Sequence, residues 1–363
     1  METKKFIDVL EIYNGKNQKA VENPDGKYPI YGSGGVMGRA DEYICPAETV
    51  VIGRKGSINN PIFVTEPFWN VDTAFGLVAR KEVVLPKYLF YFCRYFDFEK
   101  LNTTVTIPSL TKANLLKIEM PVPSIIEQNN IVTKLNLLTN MIQQCQEQLT
   151  KLDELVKARF VEMFGTYPDN PFGWNTGKIQ DVVSDVRYGS SRPAVEGGKY
   201  PYLRMNNITY AGELDLTDTK RIDVPDNELD KCTVRRGDVL FNRTNSKELV
   251  GKTCVYNRDD MMVLAGFVIR VRVNERILPE FLVAFLNTDF SKQMLLGMCK
   301  TAIGQANINA KEMQNIGLYI PPIALQEQFV DLKKQIDKSK VEVQKALDQT
   351  QLLFDSLMQQ YFG

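Results

Sequence analysis

The stretch Tyr28–Gly38, YPIYGSGGVMG, has the glycine density of a loop that cradles phosphate. Such a loop works by letting backbone N–H groups approach the anion and by opening a helix directly behind the glycines. Here the following residues, MGRADEYICP, are a poor helix start, so cradle chemistry is not expected. The chain contains no histidine, which removes Ser-His-Asp and Cys-His nucleophilic chemistry and every His-ligated metal site. Six cysteines, Cys45, Cys93, Cys145, Cys232, Cys254 and Cys299, lie far apart with no CxxC pair. That spacing suits reduced thiols packed singly into cores rather than a disulfide framework or a zinc knuckle. No metal site and no cofactor are expected.

An internal repeat carries more information than any of these motifs. SLTKANLLKIEMPVPSIIEQNNIV (Ser109–Val132) and NINAKEMQNIGLYIPPIALQEQFV (Asn307–Val330) align at a constant shift of 198 residues. Ile118 then matches Ile316, Pro123 matches Pro321, Ile125 matches Ile323, Gln128 matches Gln326 and Val132 matches Val330. The register runs without a gap to Phe164-Gly165 and Phe362-Gly363. Upstream, PKYLFYF (Pro86–Phe92) answers PEFLVAF (Pro279–Phe285), and ETVVIGRKGS (Glu48–Ser57) answers GDVLFNRTNS (Gly237–Ser246), each an apolar run ending at an arginine, Arg54 or Arg243. YPIYGSGG answers YPYLRMNN (Tyr200–Asn207). The second copy therefore replaces the glycines with Arg204-Met205-Asn206-Asn207, which a shared nucleotide cradle would not tolerate. Two related recognition loops with different targets fit better.

After Pro123 apolar residues recur at Ile131, Leu135, Leu138, Ile142, Cys145, Leu149, Leu152 and Val156, at alternating intervals of four and three. This is a coiled-coil seam. A helix from Ile125 to Phe164 would be about 60 Å long, more than a small domain needs for its own core. The second copy gives Phe329, Leu332, Ile336, Ser339, Val343, Ala346, Thr350, Leu353 and Leu357, with three weak positions. Each helix could pack on its own domain; two helices of equal length, each following a globular half, can instead pair antiparallel, with pseudo-two-fold symmetry and the halves at opposite ends. A chain so built suits a partner with two-fold geometry, such as duplex DNA with two half-sites. Between the helices strands are expected at Val50–Arg54, Ile62–Thr65, Phe75–Ala79, Val182–Val186, Val239–Arg243, Thr253–Tyr256 and Phe267–Val273. Short helices are expected near Lys87–Phe96 and Pro279–Phe290.

The remaining properties are bland. A length of 363 residues and a hydrophobic content of 44% allow two or three cores. Lys plus Arg equals Asp plus Glu, 44 against 44, so the overall balance announces no acidic partner. The N-terminus has no apolar signal region, and no segment approaches the roughly 20 apolar residues that span a bilayer, so a cytoplasmic protein without membrane partners is expected. Asn170-Pro171-Phe172, within the linker Gly165–Trp174, is one proline short of the Asn-Pro-Pro-Phe site of amino-methyltransferases and reads as a turn.

The order of globular half and long helix, given twice, together with P-S-L-T … I-x-x-P-V-P-x-I-x-E-Q at Pro108–Gln128 and I-x-I-P-P-I-A-L-Q-E-Q at Ile316–Gln328, resembles the specificity subunit of Type I restriction-modification enzymes. The resemblance covers essentially the whole chain. It implies an α+β fold of two mixed α/β target-recognition domains joined by two long helices in an antiparallel coiled coil, an internal pseudo-two-fold repeat. The divisions expected are 1–108 and 166–306 for recognition, and 109–165 and 307–363 for the helix regions. It further implies a non-catalytic subunit that reads a bipartite sequence in double-stranded DNA, with helix length setting the unread gap. Its implied partners are two modification (methyltransferase) subunits and the restriction (motor-nuclease) subunits. A non-catalytic adaptor that bridges protein partners is the alternative, and a self-contained methyltransferase or nuclease would need a cofactor pocket or a metal-binding acidic cluster.

The family's recognition domains are its variable part, so contact residues rest on local chemistry. In the first half Arg39, Arg54, Lys55, Ser57, Asn59 and Asn60 supply donors around the glycine-permitted loop. In the second half they are Arg187, Ser190, Arg192, Arg204, Asn206, Asn207, Asn242, Arg243, Asn245 and Lys247. Arg can read guanine bidentately, Asn can read adenine, and Lys or Ser can hold phosphate. For the coiled coil and partner docking the candidates are Ile131, Leu135, Leu138, Ile142, Leu149, Leu152, Phe329, Ile336, Val343 and Leu353. Replacing Leu138 and Leu149 together by Asp is expected to abolish partner docking while leaving each globular domain folded. Unchanged assembly by size-exclusion chromatography would exclude the pairing of the helices.

Overall fold

The computed structural model describes residues 2–101, 109–302 and 305–363; Pro108, which opens the first repeated motif, lies outside them. The chain divides into two compact units, one of residues 1–148 with 343–363 and one of residues 149–342. Each unit therefore takes one end of each long helix.

The first unit is built on a four-stranded antiparallel sheet in the order Leu10–Asn14, Ala74–Ala79, Thr49–Gly53, Ile62–Val64. Alternation along Thr49–Gly53 sends Val50 and Ile52 to one face and Val51 to the other. Val50 and Ile52 join Leu77, Tyr88, Leu89 and Phe92 in the main core, which the long helices complete with Ile131, Leu135, Leu138, Phe354, Met358 and Phe362. Val51 packs with Ile30, Cys45, Phe68 and Trp69 beneath a smaller sheet of Gly35–Ala40, Tyr28–Gly32 and Trp69–Asn70. The glycine cluster is the tip of the hairpin between Tyr28–Gly32 and Gly35–Ala40, where Gly35 has φ 116°. A strand rather than a helix follows the glycines, in agreement with the sequence reading.

The second unit repeats this plan. Its four-stranded sheet runs Val183–Tyr188, Val268–Val273, Val239–Asn242, Thr253–Val255, again antiparallel. A second sheet runs Lys220–Ile222, Tyr200–Leu203, Met262–Leu264, Thr233–Val234. A short antiparallel pair precedes the long helix in each unit, Thr3–Lys5 with Glu119–Pro121 and Asn175–Lys178 with Gly317–Ile320. The short helix Pro86–Tyr95 corresponds to Pro279–Leu286, each with proline in the first turn, where its missing N–H costs nothing. The expected helix Pro279–Phe290 is in fact two. The first ends at Asn287, and Thr288 caps a second, Asp289–Met298, by accepting from Ser291 N at 3.2 Å.

The long helices span Ile125–Phe164 and Ile323–Phe362, as the periodicity requires. The first ends where Gly165 takes φ 81° and its N–H returns to Val161 O at 2.8 Å. Asp153 pairs with Lys340 at 2.8 Å, and eleven residues further on Phe164 meets Phe329 with ring centroids 5.7 Å apart. One helix advances as the other recedes, so the pair is an antiparallel coiled coil. Ile131, Leu135, Leu138, Phe329 and Ile336 are buried, and Ile142, Leu149, Leu152 and Val343 are half-buried; because Leu138 belongs to the main core of the first unit, Asp there destabilises that domain, contrary to the expectation that both domains stay folded. The seam of the second helix departs from expectation. Leu353 is 50% exposed while Phe354 is buried, and Ser339 and Ala346 yield to half-buried Lys340 and Leu347. A helix of 3.6 residues per turn drifts against a 3.5-residue repeat, which moves the seam by one position.

One buried side chain ties each short helix to its long one. Gln128 Oε1 accepts from Leu85 N at 2.8 Å, and its Nε2 donates to Val83 O and Pro123 O, both at 2.9 Å. Gln326 Oε1 accepts from Leu278 N at 2.8 Å, and its Nε2 donates to Arg276 O at 3.2 Å and Pro321 O at 2.9 Å. Both glutamines are fully buried. Gln326→Leu keeps the volume but strands one donor and two acceptors, and is expected to cost about 2–4 kcal/mol in urea unfolding of the whole chain. A loss below roughly 1 kcal/mol would mean the amide is not structurally required.

Candidate nucleic-acid interface

The repeated plan puts Arg54 and Arg243 at the same place, immediately past the C-terminal end of a buried strand. Arg54 N donates to Thr73 O at 2.8 Å, and Arg54 O accepts from Leu110 N at 2.9 Å. Arg243 N donates to Phe267 O at 3.0 Å, and Arg243 O accepts from Ile308 N at 2.9 Å. Both backbones are thus held between a neighbouring strand and the segment that leads to the long helix. Each guanidinium lies over an aromatic ring, Arg54 over Phe75 at 5.7 Å and Arg243 over Tyr188 at 4.9 Å. Arg243 Nη1 also reaches Gly266 O at 3.4 Å, while its buried Nε meets no acceptor among the described residues.

Around Arg54, the side chains of Lys55, Ser57, Asn59 and Asn60 are exposed on one turn. Gly53 cannot be replaced there, since a Cβ would stand 2.3 Å from Ser57 O, and Gly56 has φ 77°. Asn59 works inside the fold: its Nδ2 donates to Asp97 Oδ1 at 2.8 Å and its Oδ1 accepts from Phe98 N at 2.7 Å. Arg39 closes the base of the glycine hairpin, donating to Gly26 O at 2.6 Å and Lys27 O at 2.7 Å.

The second unit uses more of its donors locally. Asn207 is buried, accepts from Arg204 N at 2.9 Å and donates to Asp215 O at 2.8 Å, shaping the loop that carries exposed Asn206. Asn242 is buried, and in the amide orientation that satisfies both ends it accepts from Asn245 Nδ2 at 2.9 Å. Ser190 is buried and caps Arg192 N at 3.2 Å. Arg192 forms a two-pronged pair with Glu228 at 3.1 and 2.7 Å, and Arg204 pairs with Asp218 at 2.9 Å. Arg187 donates to Asp185 at 2.8 Å. Burial works to raise the Asp185 carboxyl, but its hydrogen bonds to Arg270 and Arg187 outweigh this and hold it below the usual carboxylate range. Lys247 is exposed. Ion pairs at the surface are weak enough for an arginine to exchange its carboxylate for a phosphate.

A family model described as the Type I restriction modification DNA specificity domain matches residues 1–153 and 171–350. The chain belongs to this family. The Type I restriction enzyme EcoKI specificity subunit of Escherichia coli strain K12 is 21% identical over 352 residues, which cover 89% of this chain and 76% of the relative. The StySPI specificity subunit of Salmonella potsdam is 22% identical over 352 residues, with the same coverage of 89% and 76%. Among solved structures, the S subunit of the Type I restriction-modification system from M. genitalium superposes with a TM-score of 0.61 at 15% identity, covering 100% of this chain and 96% of that one. A structure from a study of complex assembly and conformational transition of the type I system gives 0.60 at 16% identity, covering 99% and 97%. The specificity-family fold is thereby the fold of this chain.

The sequence reading missed the apolar residues of these surfaces. Tyr188 and Phe267 are 44% and 52% exposed beside Arg243, and Val36 and Met37 are 62% and 61% exposed on the glycine hairpin. Val36 and Met37 lie on the strand Gly35–Ala40, where only Ala40 is buried, Tyr188 closes the strand Val183–Tyr188, which has no buried residue, and Phe267 immediately precedes Val268–Val273, so no apolar spacing marks them. The stretch Asn170–Phe172 is a turn, as its composition predicts: Asn170 accepts from Trp174 N and donates to Trp174 O, both at 2.8 Å.

Proposed function

We propose that this chain is the DNA sequence-recognition subunit of a Type I restriction-modification complex, itself without catalytic activity, and that each unit reads one part of a bipartite target. The observation that carries the reading is the twofold recurrence of one framework, with Arg54 and Arg243 fixed alike and the loops beside them different. A shared framework with divergent donor loops suits two half-sites of unlike sequence. Residues 1–108 and 166–306 are the recognition parts in this reading, and 109–165 and 307–363 the parts that dock two modification subunits and the restriction subunits. Arg54, Lys55, Ser57 and Asn60 face DNA from the first unit. Arg187, Arg192, Arg204, Asn206, Arg243, Asn245 and Lys247 face it from the second. Arg39, Asn59, Ser190, Asn207 and Asn242 hold the loops in shape. Among the described residues no helix is long and apolar enough to cross a membrane.

The net charge of zero calls for a shared grip on phosphate. The isolated chain is expected to bind duplex DNA weakly in physiological salt, and nanomolar affinity in a gel-shift titration would overturn the shared grip. The function itself is tested by co-expressing the chain with its modification subunit in a host lacking adenine methylation and mapping methylated adenines by single-molecule sequencing. One bipartite motif with a fixed unread gap is expected. Arg54→Ala should relax or weaken only one half-site and Arg243→Ala only the other, each by roughly tenfold or more in binding. A stable complex that methylates nothing new would favour a protein-bridging adaptor.

A further inference from the structure

The second unit contains a cleft of about 410 Å³, within the usual range of small-ligand pockets, about 300–1,000 Å³. Its apolar wall is Val156 and Phe160 from the first long helix with Val283 and Ala284 from the short helix. The turn Tyr210–Glu213 closes the opposite side, and Gly212, at φ 87°, is required there because a Cβ would lie 2.5 Å from Asn287 Nδ2.

Among the described residues, the charged groups of the cleft all have partners of opposite sign except Lys292. Lys157 is paired with Asp289 at 3.3 Å, Lys333 with Asp337 at 2.6 Å, and Lys340 with both Asp153 and Glu213 at 2.8 and 2.7 Å. Lys292 has no carboxylate partner among the described residues. Its ammonium, which carries three donors, meets one distant acceptor, Gly251 O at 3.5 Å, and the face of Tyr210 at 4.9 Å. Burial, with the nearby charges of Lys157 and Lys252, pushes its pKa down to about 8. Lys252 is itself committed to Met205 O at 3.0 Å. Asn287 stands at the break between the two short helices. Its Nδ2 donates to Thr253 O at 2.9 Å, while its buried Oδ1 meets no donor among the described residues.

We propose that this cleft binds a small amphipathic carboxylic acid, whose carboxylate sits on Lys292 and whose apolar body lies on Phe160, Val156 and Val283. One negative charge matches the lysine of the cleft that, among the described residues, has no carboxylate partner. The apolar wall matches the remainder. At the shift of 198 residues Lys157 of the cleft is answered by Asp355.

3-Phenyllactate carries both features, a carboxylate and an apolar body, and serves as the probe, titrated calorimetrically into the full chain at pH about 7. Saturable binding to one site is expected. The neutral 3-phenyllactamide should bind roughly tenfold or more weakly. Lys292→Met should weaken 3-phenyllactate by roughly tenfold or more, and Ala284→Trp should block the cleft. Raising the pH to about 9.5 deprotonates Lys292 and should weaken binding in the parent chain but not in Lys292→Met. Absence of saturable binding, or affinity unchanged in a Lys292→Met variant that keeps the parent's thermal midpoint, overturns the proposal. An isotope-labelled lysine whose Cε signal follows the titration identifies Lys292 directly, and a shift at another lysine instead also overturns it.

Discussion

The structure depends on a primary amide buried where three backbone segments converge. At the start of each long helix the chain must pass from a short strand, through prolines, into a helix that lies against the N-terminus of a separate short helix. The N–H groups at a helix start and the carbonyls of an irregular segment have no intrahelical partners, and burial makes each expensive to leave unpaired. Gln128 and Gln326 settle both demands with one side chain. The oxygen takes the N–H of Leu85 or Leu278, and the nitrogen serves two carbonyls. Glutamate lacks the donors, and asparagine is one methylene shorter. Because the short helices pack on the four-stranded sheets, the clamp fixes each sheet to the helix beside it.

The long helices then act as parts of two cores rather than as a free-standing rod. Phe354, Met358 and Phe362 complete the core of the first unit, and Phe160 and Phe164 that of the second, where their rings meet Phe281 and Phe329 at 4.8–5.7 Å. Polar seam positions are tolerated because they are satisfied locally. Thr350 Oγ1 returns to Ala346 O at 2.7 Å, and Lys340 has two carboxylates. Burial lowers the pKa of Lys340, but the hydrogen bonds of Asp153 and Glu213 outweigh it and leave the ammonium more firmly protonated than usual.

On this framework the two units spend their polar residues differently. The first leaves its donors on short turns around Arg54. The second ties many of them down, with Arg270 reaching Asp185 at 2.8 Å and Arg272 reaching Asp238 at 2.8 Å across the sheet. A loop anchored in this way presents few side chains, but each in a defined direction, as hydrogen-bonded reading of base edges requires.

The sequence alone determined the repeat, both long helices with their full extents, the strands around Arg54 and Arg243, and the exclusion of a nucleotide cradle. These features are legible because periodicity, proline and glycine are local or nearest-neighbour signals. The equivalence of Gln128 and Gln326 was legible as a pattern, but its cause was not, since the carbonyls they serve lie up to 50 residues away in the chain. Tertiary structure alone decided which donors remain outward, why Leu353 yields to Phe354, where Pro279–Phe290 breaks, and that Lys292 has no carboxylate partner among the described residues. Each of these depends on groups distant in sequence competing for the same space or the same hydrogen bond, and no spacing within a segment records the outcome of that competition.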